Sequence, residues 1–293
     1  MTNNTETGII LKGVGGRYTV SASGNTLNCS LDGKLRIGKT VPVPGDRVEV
    51  QRSHGTWHIS KVLQRKNHLI RPAVANIDRL FVVASNSPPK TDTYLIDKMS
   101  VIASIKGIDM VLLLNKSDLD RSDDLYEIYS RAGFNVIRVS AITGEGIDTV
   151  KSMLDNNVSA FTGNSGIGKS SILNLIDPAF KITVGDISRK IERGKHTTRH
   201  VEFLPVGECG FVADTPGFSS FEITRMDKLD KSDLQKHFPE IIDMTGNCRF
   251  TDCVHINEPD CPIKEYMEAD VHRLSRYLSY KKIYQELSEI SEY

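Results

Sequence analysis

The stretch Gly163-Asn164-Ser165-Gly166-Ile167-Gly168-Lys169-Ser170 decides how the chain is read. A glycine, four free positions, then glycine, lysine and a hydroxyl residue is the pattern of a phosphate-binding loop. The chemistry explains the residue types. Glycines let the backbone turn tightly and aim N–H groups at phosphate oxygens. Lys169 can reach the β- and γ-phosphates as a point charge, and the Ser170 hydroxyl can ligate Mg²⁺. Val158-Ser159-Ala160-Phe161 predicts a strand entering the loop, and Ser171-Ile172-Leu173-Asn174-Leu175-Ile176 predicts a helix leaving it. The positive end of that helix then faces the phosphates. Gly163, Asn164, Ser165, Gly166, Ile167, Gly168, Lys169, Ser170 and Ser171 are the candidate phosphate contacts.

Three further motifs share the same placement. Asn115-Lys116-Ser117-Asp118 follows the apolar run Met110-Val111-Leu112-Leu113-Leu114, which reads as a buried parallel strand. Ser140-Ala141 follows the predicted strand Val136-Ile137-Arg138-Val139, and Asp214-Thr215-Pro216-Gly217 follows Phe211-Val212-Ala213. Nucleotide motifs at the C-terminal ends of strands are where an open α/β sheet puts its ligand. The Asp118 carboxylate can accept from N1–H and the exocyclic amine of guanine, which adenine lacks. A pocket built around such polar partners rejects the analogue strongly. Asn115, Lys116, Ser117 and Asp118, with Ser140 and Ala141, therefore predict GTP or GDP over ATP.

Asp214 can hold Mg²⁺ through water, with Ser170 and a loop threonine, and the Gly217 N–H can sense the γ-phosphate. Residues 184–200 read as a mobile loop carrying Thr197 and Thr198, of which Thr198 is the favoured metal and γ-phosphate partner.

The rest of the chain frames this site. Short alternating runs between about residues 8 and 63, separated by glycine-rich turns, predict about five strands and a small β-barrel. An OB-fold barrel and an SH3-like barrel both fit. Residues 1–70 hold ten Lys or Arg against four Asp or Glu. That basic excess suits either RNA contact or a solvated face. Strands then alternate with helical patterns from Leu80 onward, the rhythm of a parallel sheet. Beyond Ser219 the period turns helical, with a final helix expected from about Ile263. Before that helix, in an irregular Pro- and Asn-containing stretch, Cys248-x4-Cys253-x-His255-x5-Cys261 offers three thiols and an imidazole, a set that suits one structural, tetrahedral Zn²⁺. Cys29 and Cys209 fall in predicted strands and read as small buried side chains. The expected architecture is multidomain. Residues 1–66 form an OB-type barrel, 67–220 an α/β phosphate-loop GTPase domain, and 221–293 a mostly helical zinc-binding domain.

The motif order completes the reading. Asn-Lys-x-Asp and Ser-Ala precede the phosphate loop, which precedes the Thr loop and Asp-x-Pro-Gly. Ras-like GTPases begin with the phosphate loop, so this order is circularly permuted. With a leading barrel and a trailing Cys/His cluster, the chain resembles the ribosome small subunit-dependent GTPase A family over almost its full length. The resemblance implies a GTPase activated by the small (30S) ribosomal subunit, touching its rRNA and assisting late maturation. It supports the zinc site as well. Phe218 stands where many GTPases place a water-orienting glutamine. Slow hydrolysis alone is expected, with His196 of Gly194-Lys195-His196-Thr197-Thr198 as the candidate catalytic group, in line with the family pattern.

Positive and negative side chains balance at 37 each, so net charge names no partner. No stretch is long and apolar enough to span a bilayer, and no membrane partner is expected. A cytoplasmic, monomeric enzyme is the expectation. A nucleotide-gated RNA-binding module and a phosphate-loop kinase are the competing readings; the Asn-Lys-x-Asp motif argues against the kinase.

Overall fold

The computed structural model describes residues 5–36, 41–53, 55–70, 72–180, 182, 201–214, 229–244 and 246–291. Five strands open the chain: β1 (Thr5–Val14), β2 (Arg17–Ala22), β3 (Asn25–Leu31), β4 (Arg47–Ser53) and β5 (Thr56–Val62), with the short helix α1 (Gly33–Arg36) after β3. They close a barrel in the order β1-β2-β3-β5-β4. A register shift between Ile10 and Lys12 bends β1, which pairs with β2 and also with β4. β3 runs parallel to β5. That parallel pair makes the barrel an OB-type Greek key and removes the SH3-like alternative, a meander of antiparallel neighbours. Alternate residues face inward, as the period of a strand requires. Ile10, Tyr18, Val20, Cys29, Val48, Val50 and Ile59 fill the interior.

The segment after β5 contains a short hairpin, β6 (His68–Ile70) with β7 (Ala73–Ala75). Arg65 fixes its start. Its guanidinium donates to buried Asp46 at 2.7 and 2.8 Å.

Strands and helices then alternate as expected: β8 (Arg79–Ala84), α2 (Thr93–Lys106), β9 (Asp109–Leu114), α3 (Asp123–Arg131), β10 (Asn135–Arg138), α4 (Ile147–Ser152), β11 (Val158–Thr162), α5 (Lys169–Ile176), β12 (Phe203–Val206) and β13 (Gly210–Asp214). The sheet order is β10-β9-β8-β11-β13-β12, with β12 antiparallel to β13. The chain moves outward from β8 to β10 and then returns to β11 on the other side of β8. The loops leaving β8 and β11 therefore diverge, and that switch point is where an open α/β sheet opens a ligand crevice. The phosphate loop is the one leaving β11.

The last part of the chain holds a 3₁₀ helix (Lys231–His237), α6 (Pro239–Ile242), α7 (Pro262–Glu268) and α8 (Val271–Ser291). The single final helix expected from Ile263 is two. Asp270 explains the break: its Oδ1 accepts the N–H groups of His272 and Arg273 at 3.0 and 3.1 Å, capping the start of α8.

Arg276 of α8 is wholly buried, and two carboxylates hold it. Its Nη1 donates to Asp97 of α2 at 2.6 Å, and its Nε to Glu240 of α6 at 2.6 Å. The Tyr129 hydroxyl donates to the same Asp97 oxygen at 2.8 Å. The guanidinium also lies over the Phe134 and Phe238 rings, at 5.0 and 4.9 Å. Removing one member strands a buried charge. Asp97→Ala is expected to cost about 3–5 kcal/mol, read as a lower midpoint in urea; an unchanged midpoint would show the triad to be energetically idle.

Candidate nucleotide site and metal centre

Two glycines of the phosphate loop sit where no side chain fits. Gly163 has φ +140°, and a Cβ there would come within 2.3 Å of the Val83 carbonyl oxygen. Gly168 has φ +104°, with a Cβ position 2.2 Å from Asn115 Nδ2. The cause of the second is a direct tie. Buried Asn115 donates from Nδ2 to the Ile167 carbonyl at 2.7 Å, joining the end of β9 to the phosphate loop. Asn115 Oδ1 is buried and has no partner among the described residues. Asn115 thus braces the loop as well as standing at the predicted base edge. Lys169 and Ser170 begin α5, so their backbone lies at the positive end of that helix. Gly168→Ala must displace Asn115 and strain the backbone. It is expected to weaken GDP binding roughly 5- to 150-fold, from about 1–3 kcal/mol of strain, and to lower the unfolding midpoint by no more than that strain. Equal GDP affinity would sink this reading.

The turn after β9 is held from several sides. Lys116 has φ +64° and donates from Nζ to the Pro88 carbonyl at 2.5 Å. Asp118 is exposed, and its Oδ1 accepts the Ser140 hydroxyl at 2.5 Å. Buried Ser140 Oγ accepts in turn from the N–H groups of Ile142 and Thr143, at 3.2 and 3.1 Å. The structure therefore joins the Asn-Lys-x-Asp and Ser-Ala motifs, with Ala141 in the turn that follows. Sequence reasoning missed Glu145. Its carboxylate accepts the Ser117 hydroxyl at 2.6 Å and an Arg121 N–H at 2.7 Å. The Ser117 hydroxyl, and then Arg121, hold the Glu145 carboxyl below its usual range. The signal available in the sequence was Thr143-Gly144-Glu145-Gly146, whose two glycines mark a tight turn but name no partner for the acid.

Asp214 ends β13, opposite Phe161 in the parallel ladder with β11. Its backbone therefore lies at the sheet end from which the phosphate loop leaves. His196, Thr197, Thr198, Gly217 and Phe218 lie outside the described residues.

Cys248, Cys253, His255 and Cys261 converge, all four donor atoms within 4.8 Å of one another. Cys261 Sγ is 3.7 Å from both Cys248 Sγ and Cys253 Sγ. His255 Nδ1 is 3.4 and 3.5 Å from Cys248 and Cys261 Sγ. A tetrahedron with Zn–S of about 2.3 Å and Zn–N of about 2.0–2.1 Å has edges of about 3.7 and 3.5 Å. The donor set fits zinc in size, number and chemistry. His255 Nε2 is 2.8 Å from Gln235 Oε1, which places the ring proton on Nε2 and leaves Nδ1 to ligate. The α8 tyrosines hold the loop: Tyr277 donates to the His255 carbonyl at 2.6 Å and Tyr280 to the Val254 carbonyl at 2.8 Å. Burial pushes the Cys253 thiol up to about 12 and lowers His255. A metal would supply the charge that turns such thiols into thiolates. Cys29 is buried in β3 as expected. Cys209 is not: it lies exposed in the turn between β12 and β13, because that hairpin turns at Gly207 before the strand resumes at Gly210.

Comparison with known proteins agrees with this architecture. Residues 62–224 match the family described as RsgA GTPase, and residues 7–56 match the RsgA N-terminal domain. A relative from Caldanaerobacter subterraneus subsp. tengcongensis, named small ribosomal subunit biogenesis GTPase RsgA, is 40% identical and covers 96% of each chain. One of the same name from Ruminiclostridium cellulolyticum is 39% identical, over 98% of this chain and 95% of its own. The crystal structure of YjeQ from Thermotoga maritima superposes with a TM-score of 0.80 at 34% identity, covering 97% of this chain and 98% of that one. YloQ, described as a circularly permuted GTPase, gives 0.79 at 28% identity over 98% and 96%. A permuted sheet behind a five-stranded barrel, matched along nearly its whole length, places this chain in the RsgA GTPase family of GTP-hydrolysing enzymes.

Proposed function

We propose that this GTPase binds the small ribosomal subunit, is stimulated by it, and assists its late maturation. The observation that supports this most directly is the near full-length likeness to relatives named for small-subunit biogenesis. In this reading the three parts of the chain, residues 1–66, 67–220 and 221–293, contribute barrel, GTPase and zinc-binding functions. The enzyme works as a cytoplasmic monomer; no helix among the described residues is long and apolar enough to cross a membrane.

At the site, the backbone of Gly163–Gly168 and the Lys169 ammonium take the phosphates, with Ser171 in the first turn of α5. Asn115 and Asp118 take guanine, with Lys116 walling the base and Ser140 and Ala141 closing its edge. Ser170, Thr198 and Asp214 would hold Mg²⁺, which neutralises phosphate charge when bound. Gly217 reads the γ-phosphate, and His196 is the candidate that orients the attacking water. One zinc held by the Cys/His set is structural, since four protein ligands leave no open position. The barrel is the RNA-facing part. One face carries a groove of about 640 Å³ lined by Lys12, Arg17, Asn28 and Trp57, the mix of cationic and aromatic groups that suits rRNA.

Phosphate release from GTP and ATP, with and without purified small subunits, tests the proposal. GTP turnover should rise more than about tenfold with subunits, because a catalytic group completed by a partner is worth up to roughly 10⁵. ATP turnover should stay at background. Unchanged GTP turnover would remove the partner from the proposal. The groove keeps one rival alive, an RNA-binding module with incidental hydrolysis; subunit maturation retained by Lys169→Ala would favour it.

A further inference from the structure

Glu145 holds both walls of the proposed base pocket, and neither motif contains it. Its side chain accepts the buried Ser117 hydroxyl at 2.6 Å, next to Asp118. Its backbone carbonyl accepts the Ser140 N–H at 3.1 Å, and the Gly144 N–H closes the turn on the Ser140 carbonyl at 2.9 Å. Ser140 is the residue whose hydroxyl steadies Asp118. Both ends of the Asp118–Ser140 bond therefore hang on one residue. Asp118 is otherwise exposed. A carboxylate must be aimed to discriminate between bases, and a loose supporting shell costs that aim.

We infer that Glu145 is a positioning residue for guanine selectivity, clamping the Asn-Lys-x-Asp turn to the Ser140–Glu145 turn so that Asp118 faces the base. The inference rests on the guanine reading of Asp118. The bland alternative is a surface ion pair, since Arg121 and Glu145 side chains are 52% and 40% exposed. Such a pair would matter little and would act through Arg121. The bond from the buried Ser117 hydroxyl to the Glu145 carboxylate is what distinguishes the two. The phosphate loop is braced separately, through Asn115 and Ile167. A loosened Glu145 therefore acts on base contacts and spares phosphate contacts.

The test compares GDP with inosine 5′-diphosphate, which lacks the exocyclic amine, by equilibrium binding to the full zinc-loaded chain. Glu145→Ala should weaken GDP roughly ten- to hundredfold, the worth of a hydrogen bond to a charged group, and weaken the inosine nucleotide far less. Glu145→Gln, whose Oε1 can still accept from Ser117, should recover most of the preference. Arg121→Ala should stay near wild type. Equal losses for both nucleotides, or an unchanged preference in Glu145→Ala, would overturn the inference while leaving the guanine reading intact. Wild-type protein that binds GDP and the inosine nucleotide alike would show that the exocyclic amine is not read and overturn this inference, whereas wild-type protein that binds ADP as tightly as GDP would overturn the guanine reading and this inference with it. Should Glu145→Ala not fold, Ser117→Ala removes the same bond from the other side, and a preserved preference there overturns the inference.

Discussion

Asp118→Ala should raise the dissociation constant for GDP by about 10²- to 10⁴-fold while leaving that for ADP within a few-fold. The argument counts bonds. One ionised acceptor meets two donors on guanine, and each charge-assisted bond contributes about 1.5–3 kcal/mol. Adenine offers neither donor, so it has nothing to lose. Asp118 is held by Ser140 and sits on an exposed turn, so its removal leaves no buried charge behind. The unfolding midpoint should hardly move. Titration of the variant with fluorescent GDP and ADP decides the matter. A variant that keeps its preference for GDP would show that the base is read elsewhere.

Removing zinc should have the other large effect. Structural zinc contributes about 10–16 kcal/mol of apparent binding free energy. A whole domain is commonly stable by about 5–15 kcal/mol. The Cys/His loop has few alternatives to the metal. Cys253, His255 and Cys261 are buried, and the Tyr277 and Tyr280 hydroxyls are spent on the loop carbonyls. Without the ion, buried thiols lie beside one another with no charge to organise them. Chelation, or Cys253→Ser, should release one zinc per chain and cost helical circular dichroism. Hydrogen exchange should then rise in residues 246–291 and stay low in β1–β5. Metal analysis finding no zinc in protein purified without chelator, or unchanged exchange after chelation, would overturn the site.

Much of this was legible because the residues concerned answer to local rules. A phosphate loop needs glycine where φ is positive, and Gly163 and Gly168 show why. The apolar run before Asn115 had to be a buried strand, and it is β9. Cysteine and histidine spacing reported a cluster that the fold indeed brings together. What escaped was non-local or balanced between close alternatives. Glu145 looked like one more turn residue because its partners, Ser117 and Arg121, lie more than twenty positions away. The β6–β7 hairpin is too short to show a period. The break before α8 turned on one capping aspartate inside an apolar pattern that reads as continuous. The Arg276 triad draws its members from α2, α6 and α8, and no window of sequence contains all three.

The edge strand β12 carries a further consequence, for behaviour in concentrated solution. An open sheet edge is a template on which a second molecule can add a strand. Here the edge is four residues long, and Pro205 sits within it, paired with Phe211 on the inner side. Proline offers no N–H outward, so an incoming strand meets a missing rung at the middle of the edge. Glu202, just before the strand, is already engaged by Lys12 of β1. Among the described residues β12 ends the sheet, so the fold presents a blunted edge there that resists runaway self-pairing.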